Sequence, residues 1–175
     1  VITDLGGFVA STFKRGIHFY NIPTTLLSMV DASVGGKTGI NLGSLKNQVG
    51  IIIDPKMVLI DPKWLKTLDQ REIISGYAEM LKHGLIFDVG YWNSLSKIEK
   101  ISHEQLEPSI ITSILLKNSI ITKDPYEKGI RKILNFGHTL GHAIESYFLN
   151  SKTKKSLLHG EAIAIGMVLE SYLSS

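Results

Sequence analysis

Apolar residues follow two different periods along this chain. In the first third they come in short runs: Ile17 to Ile22, Val49 to Ile53, and Met57 to Ile60, the last two separated by Asp54-Pro55. Runs of that length bounded by turn residues predict buried or paired strands in an α/β layer. The first run ends at Pro23, which favours an extended residue before it and stops the strand. Between the runs, the segment from Ser33 to Asn47 is rich in Gly, Ser and Asn and predicts a loop. From Asp61 the period becomes helical. Asp61-Pro62 is a helix start, because Asp caps free N–H groups and Pro fits the first turn. Four helical stretches follow: Arg71 to Leu85, Leu106 to Thr122, Arg131 to Phe148, and Gly160 to the end. Each carries an apolar stripe at three- and four-residue spacing, such as Ile74, Ala78 and Leu81 in the first. The pattern predicts the end of an α/β domain over residues 1–61 and most of a helical domain over 62–175.

Composition narrows the function classes. Hydrophobic residues make up 43% of the chain and charged residues 20%, enough apolar material for a core and against disorder. No apolar run approaches the roughly 20 residues that cross a bilayer, so no membrane partner is expected. Asp4 and the pair Gly6-Gly7 interrupt the first apolar stretch, against a signal peptide. The absence of cysteine excludes disulfides and thiolate metal sites, and fits a reducing, cytoplasmic setting. The net charge of +3 comes from lysines scattered singly, with one cluster at Lys152, Lys154 and Lys155. That spread argues against nucleic acid and suits a small phosphorylated ligand. The chain starts at Val1 without Met and stops at Ser175 inside a helical pattern, as expected of a piece of a longer protein.

Several segments could carry chemistry. His138 and His142 are four apart, which on a helix places both on one face. Such a pair can share a metal, or one imidazole can bind metal while the other moves a proton; equally, one can cap and the other pack. His159, just ahead of Gly160-Glu161, stands at a helix start, as a third ligand or a surface histidine. Glu79, in Ala78-Glu79-Met80-Leu81-Lys82, is a solvated carboxylate or, if buried, needs a cation. One carboxylate with two histidines suits zinc with an open position. The loop from Asp31 to Gly39 contains Gly35-Gly36-Lys37-Thr38 but fails as a phosphate-binding P-loop, because Asp31 stands where that motif needs Gly. It can still offer backbone N–H groups and one ammonium to a phosphoryl group, or be a solvated loop. Thr24 and Thr25 follow a predicted strand, where ligands of α/β layers bind, and are equally plain helix caps.

In this order, the motifs Val1 to Phe8, Arg15-Gly16, Ile22 to Leu27, Asp31 to Thr38, Lys46-Asn47, Ala78-Glu79 with Lys82, Leu134 to His142, and His159-Gly160-Glu161 resemble the 3-dehydroquinate synthase family across essentially the whole chain. The resemblance implies a Rossmann-like NAD-binding α/β domain, present here as its last part, followed by an all-α metal-binding domain. It implies Glu79, His138 and His159 as zinc ligands, with cobalt as a substitute metal, and His142 as a substrate contact assisting proton transfer. It assigns Asp31, Lys82, Lys117, Arg131 and Asn135 to the substrate's hydroxyls and carboxylate, and Asn47 and Lys37 to its phosphate side. Arg15 resembles an arginine offered across a homodimer interface. Asp4, Thr24, Thr25, Lys37, Lys46 and Thr67 match NAD-binding positions. The implied reaction is a phosphate-eliminating cyclisation of a seven-carbon keto-acid phosphate, in which NAD oxidises a ring hydroxyl transiently and is regenerated. Rival readings are a related sugar-phosphate cyclase, a metal-dependent polyol dehydrogenase, and a non-catalytic fragment. Against the family's pattern, the glycines ahead of Val1 and the terminal helices with a substrate lysine are missing, and Ser151 to Ser156 is a polar insertion expected to form a loop.

Overall fold

A computed structural model describes residues 2–43, 45–99, 101–151 and 153–175. Val1, Lys152 and the side chain of Lys46 lie outside the described residues. The chain opens with helix α1, Ile2–Thr12, which the apolar runs did not locate. Asp4 lies in its first turn, where a carboxylate favours the free N–H groups. A 3-10 turn, Phe13–Arg15, ends it.

Strand pairing is shorter in one place and longer in another than the apolar runs suggest. Of the run from Ile17 to Ile22, Tyr20–Asn21 (β1) pairs in parallel with Met57–Val58 (β4). The expected loop from Ser33 to Asn47 is instead half of an antiparallel hairpin. Lys37–Leu42 (β2) pairs with Leu45–Ile52 (β3), with Lys37 opposite Ile52 and a bulge between Ile40 and Leu42. The Gly- and Asn-rich composition of β2 hid it, because a strand's stability comes from its partner as much as from its own propensity. Between β1 and β2 the chain makes a π-helical turn, Ser28–Ala32, whose Met29 and Val30 are fully buried.

The helical part follows the sequence pattern more closely. Asp61 accepts from Lys63 N–H at 3.0 Å and Pro62 begins a 3-10 helix, Pro62–Thr67. Asp69 caps α2, Gln70–Phe87, at Arg71 N–H (2.8 Å). Asp88 caps a short helix that the pattern did not show, α3, Val89–Leu95. Then come α4, His103–Lys123, a 3-10 helix Ile130–Asn135, α5, His138–Leu149, and α6, His159–Ser174. The single helix expected from Arg131 to Phe148 is therefore two, broken where Gly137 takes φ +79°, a conformation that L side chains disfavour. The core lies among the π-helical turn, α2, α3 and α4, around Leu26, Met29, Tyr77, Met80, Leu95 and Leu106. Among the described residues no helix is long and apolar enough to cross a membrane.

Candidate active site

Glu79, Lys82 and His83 sit within about one turn of α2, and all three are buried, Glu79 and His83 completely. A buried carboxylate needs a counter-charge. The Lys82 ammonium supplies it, pairing with Glu79 Oε2. A second pair lies close by. Lys117 of α4 donates to Asp31 Oδ1 at 2.7 Å and also to the Asp31 carbonyl in the π-helical turn. Two carboxylates thus face two ammonium groups. Burial pushes the Asp31 and Glu79 carboxyls up, yet the nearby ammoniums outweigh it and hold both below the usual range, Asp31 well below. Burial pulls the Lys117 ammonium down, with Asp31 opposing.

The histidines arrive from two other helices. His138 is the first residue of α5 and His142 lies one turn on, with ring centres 5.1 Å apart. His159 is the first residue of α6, and its ring lies 5.4 Å from His138 and 5.7 Å from His142. Glu79 Oε1 stands 3.8 Å from His138 Nε2 and 3.6 Å from His159 Nε2. The opposite ring nitrogens are engaged: His138 Nδ1 with the Phe136 carbonyl at 3.2 Å, and His159 Nδ1 with Glu145 Oε2 at 3.3 Å. Carbonyls and carboxylates only accept, so Nδ1 carries the proton in both rings. In the neutral rings Nε2 is then a free lone pair facing Glu79. Burial and Lys82 push His138 down to about 4, which keeps it neutral near pH 7. For His159, burial acts downward but the Glu145 and Glu79 carboxylates prevail and raise it.

These atoms fit a metal ion. Bonds of about 2.0–2.1 Å in a tetrahedron put neighbouring ligand atoms about 3.3 Å apart, close to the 3.6 and 3.8 Å found without an ion. Glu79 Oε1 is buried and accepts no hydrogen bond among the described residues, which is costly unless a cation meets it. Ligand atoms of His138, His142 and His159 also lie within 4.8 Å of one another. Glu79 Oε1 and a ring nitrogen of His142 thus both lie beside the His138 and His159 pair. Asp31, Glu79 and His83 cluster within 4.8 Å as well, with Lys117 on Asp31 Oδ1 and Lys82 on Glu79 Oε2, which leaves Glu79 Oε1 to the histidine side.

The remaining expected site residues lie elsewhere on the fold. Arg131 is buried with its guanidinium donating to the carbonyls of Pro125 (2.5 Å) and Gly35 (2.7 Å), which braces the glycine-rich turn ahead of β2. Asn135 donates to Glu127 Oε1 at 2.6 Å, and Lys37 pairs with the other oxygen of that carboxylate. Asn47 stands in β3 at φ +52°, its N–H donating to Asn41 Oδ1 at 3.0 Å. Arg15 is exposed at φ +65° beyond α1. Thr25 Oγ1 accepts from Ser28 N–H at 3.2 Å, a cap on the turn that carries Asp31. Thr24 and Thr67 are exposed.

Four supporting residues escaped the sequence pattern. Glu145 orients His159, and its place three residues after His142 was the available signal. Glu170 of α6 accepts from Gly137 N–H (2.7 Å) and Leu140 N–H (3.1 Å), capping the helix that starts at His138. Arg71 and Ser75 of α2 bind the start of α6. The contacts of Glu170, Arg71 and Ser75 cross from one helix to another and leave no local trace.

Residues 1–75 match the family described as 3-dehydroquinate synthase N-terminal, and residues 76–175 match 3-dehydroquinate synthase C-terminal. The 3-dehydroquinate synthase of Parabacteroides distasonis is 52% identical over 99% of this chain and 49% of its own length. The chain thus spans about half the length of such curated relatives. Among solved structures, a 2-epi-5-epi-valiolone synthase from Streptomyces hygroscopicus with NAD+ and Zn2+ bound superposes with a TM-score of 0.88. It is 32% identical over 98% of this chain and 48% of its own. A 2-deoxy-scyllo-inosose synthase complexed with carbaglucose-6-phosphate, NAD+ and Co2+ gives a TM-score of 0.77 at 33% identity, covering 93% of this chain and 44% of its own.

Proposed function

Since the chain belongs to the 3-dehydroquinate synthase family, we propose that the whole protein converts 3-deoxy-D-arabino-heptulosonate 7-phosphate to 3-dehydroquinate and phosphate. It is then a carbon–oxygen lyase that uses NAD and zinc, with residues 1–61 closing an NAD-binding domain and 62–175 forming the helical metal- and substrate-binding domain. The observation that carries this reading is the orphaned Glu79 Oε1, set between the Nε2 atoms of His138 and His159. Those three atoms would hold the zinc, which when bound acidifies a coordinated hydroxyl.

The chain's own residues supply position and charge. Lys82 and Lys117 are buried cations able to hold the anionic groups of a substrate while charge moves. Asp31 keeps Lys117 fixed. His142, beside His138 and His159, is suited to move a proton at a substrate hydroxyl or at the leaving phosphate. Lys37 and Asn135, joined through Glu127, are placed to receive the substrate when it displaces that carboxylate. The NAD contacts would come from Asp4, Thr24, Thr25, Lys46 and Thr67, with Arg15 reaching a second subunit of a cytoplasmic homodimer. Curated relatives near 50% identity support the heptulosonate substrate over those of the valiolone and inosose synthases, which stand at 32–34%.

The full-length protein, given the heptulosonate phosphate, should release one phosphate per 3-dehydroquinate with no NADH accumulating. Phosphate release with a different carbocycle on NMR would move it to a sister cyclase. Lys117→Ala should keep zinc and lose at least about a hundredfold in kcat/KM; unchanged turnover would remove Lys117 from the site.

A further inference from the structure

Glu79 is the last of three residues spaced four apart on α2, and each of the three meets one of the first three residues of α6. Arg71 grips Glu161 with two parallel hydrogen bonds, Nε to Oε1 and Nη2 to Oε2, both 2.7 Å. One turn along, Ser75 Oγ accepts from Gly160 N–H at 3.0 Å. One turn further, Glu79 Oε1 faces His159 Nε2 at 3.6 Å. Residues four apart on a helix share a face at about 6 Å spacing, so the start of α6 lies along α2 like a three-rung ladder.

Two rungs fix the register of the third. The middle one admits no side chain, since a Cβ on Gly160 would stand 1.8 Å from the Ser75 carbonyl oxygen. The first is tied further: Arg71 Nη2 donates to the Ser156 carbonyl at 2.9 Å, and Glu161 Oε2 accepts from Leu158 N–H at 2.8 Å. The chain is therefore held on both sides of His159 before any ion binds. A one-residue slip of α6 would break the bidentate pair and the Ser75 bond together, and would carry His159 away from Glu79.

We propose that Arg71, Ser75 and Glu161 are positioning residues for the metal centre: they touch neither metal nor substrate, and they set the distance between Glu79 and His159. The inference rests on the metal reading above. It also gives a specific role to a partly buried, bidentate ion pair.

The test compares the full-length protein with Arg71→Lys, Glu161→Gln and Ser75→Ala. Lysine keeps the charge but lacks the planar fork, and glutamine keeps the shape. Co2+ is titrated into the metal-free proteins against a chelator, with its visible absorption reporting coordination and thermal unfolding reporting the fold. The expected result is a folded metal-free protein in each case. Arg71→Lys and Glu161→Gln should lower Co2+ affinity about 10- to 100-fold and alter the absorption band, with a smaller loss for Ser75→Ala. Variants that bind Co2+ within about twofold of the parent, with the same spectrum, overturn the inference and leave the metal reading standing. Variants that lose the fold together with the metal also overturn it, because the link is then a general stability element. A parent protein that binds no Co2+ removes the metal reading, and this inference with it.

Discussion

At the scale of single residues, the site is a matter of which atoms are left without partners. His83 shows this beside Glu79, ligand atoms of the two lying within 4.8 Å of each other. It is fully buried, its Nδ1 meets Ser113 Oγ at 3.2 Å, and its Nε2 has no hydrogen-bond partner among the described residues. Tyr91 OH donates to the Ser109 carbonyl at 2.8 Å and so accepts from Ser113, which in turn accepts from His83 Nδ1–H. The chain of donors fixes the neutral tautomer. Burial and the Lys82 charge push His83 down to about 4 from an ordinary 6.5, against Asp31 and Glu79. The unfolded chain then binds a proton that the folded protein refuses, so this residue's contribution is whole above pH 6.5 and declines toward pH 4. For the metal-free full-length protein, urea unfolding should show a fall on the order of 3 kcal/mol across that window from His83. His83→Asn should flatten the slope by that amount. Parallel pH profiles for parent and variant would show that His83 titrates normally.

At the scale of elements, the histidines are brought together by backbones that approach closely. The α5–α6 contact depends on Gly166, where a Cβ would stand 2.0 Å from the Gly137 carbonyl oxygen. Gly166→Val should therefore force the helices apart, with a loss of about 1–3 kcal/mol and a lower melting temperature in the metal-free protein. A variant melting with the parent would show that the helices can part without cost. The helical half was largely legible in the sequence, because an apolar stripe at helical spacing survives without knowledge of partners, and Asp61-Pro62 caps as its residue types require. Where the pattern misled, a partner decided the outcome. β2 is a strand because β3 pairs with it, and Gly137 splits an apolar stripe that runs on through it. The two histidines of α5 could be placed on one face from their spacing. That Glu79 would face them, and that Glu145 and Glu170 would hold them, depends on contacts across many residues.

At the scale of the molecule, charged side chains join the strand-bearing first third to the helices. Arg131 reaches the Gly35 carbonyl, and Glu127 holds Lys37 from β2 beside Asn135. Asp31 and Lys117 make the same crossing closer to the centre. Ligand atoms of Asp31, Glu79 and His83 thus lie within 4.8 Å of one another beside the middle of α2, where Glu79 also meets the histidines. The central claim is that this meeting point is a zinc site, and its most direct test is a crystal structure of the full-length protein with anomalous data at the zinc edge. One zinc bonded to Glu79 Oε1, His138 Nε2 and His159 Nε2, and lost in His159→Ala, is the predicted result. Zinc bound by other residues, or held at full occupancy in His159→Ala, would contradict it.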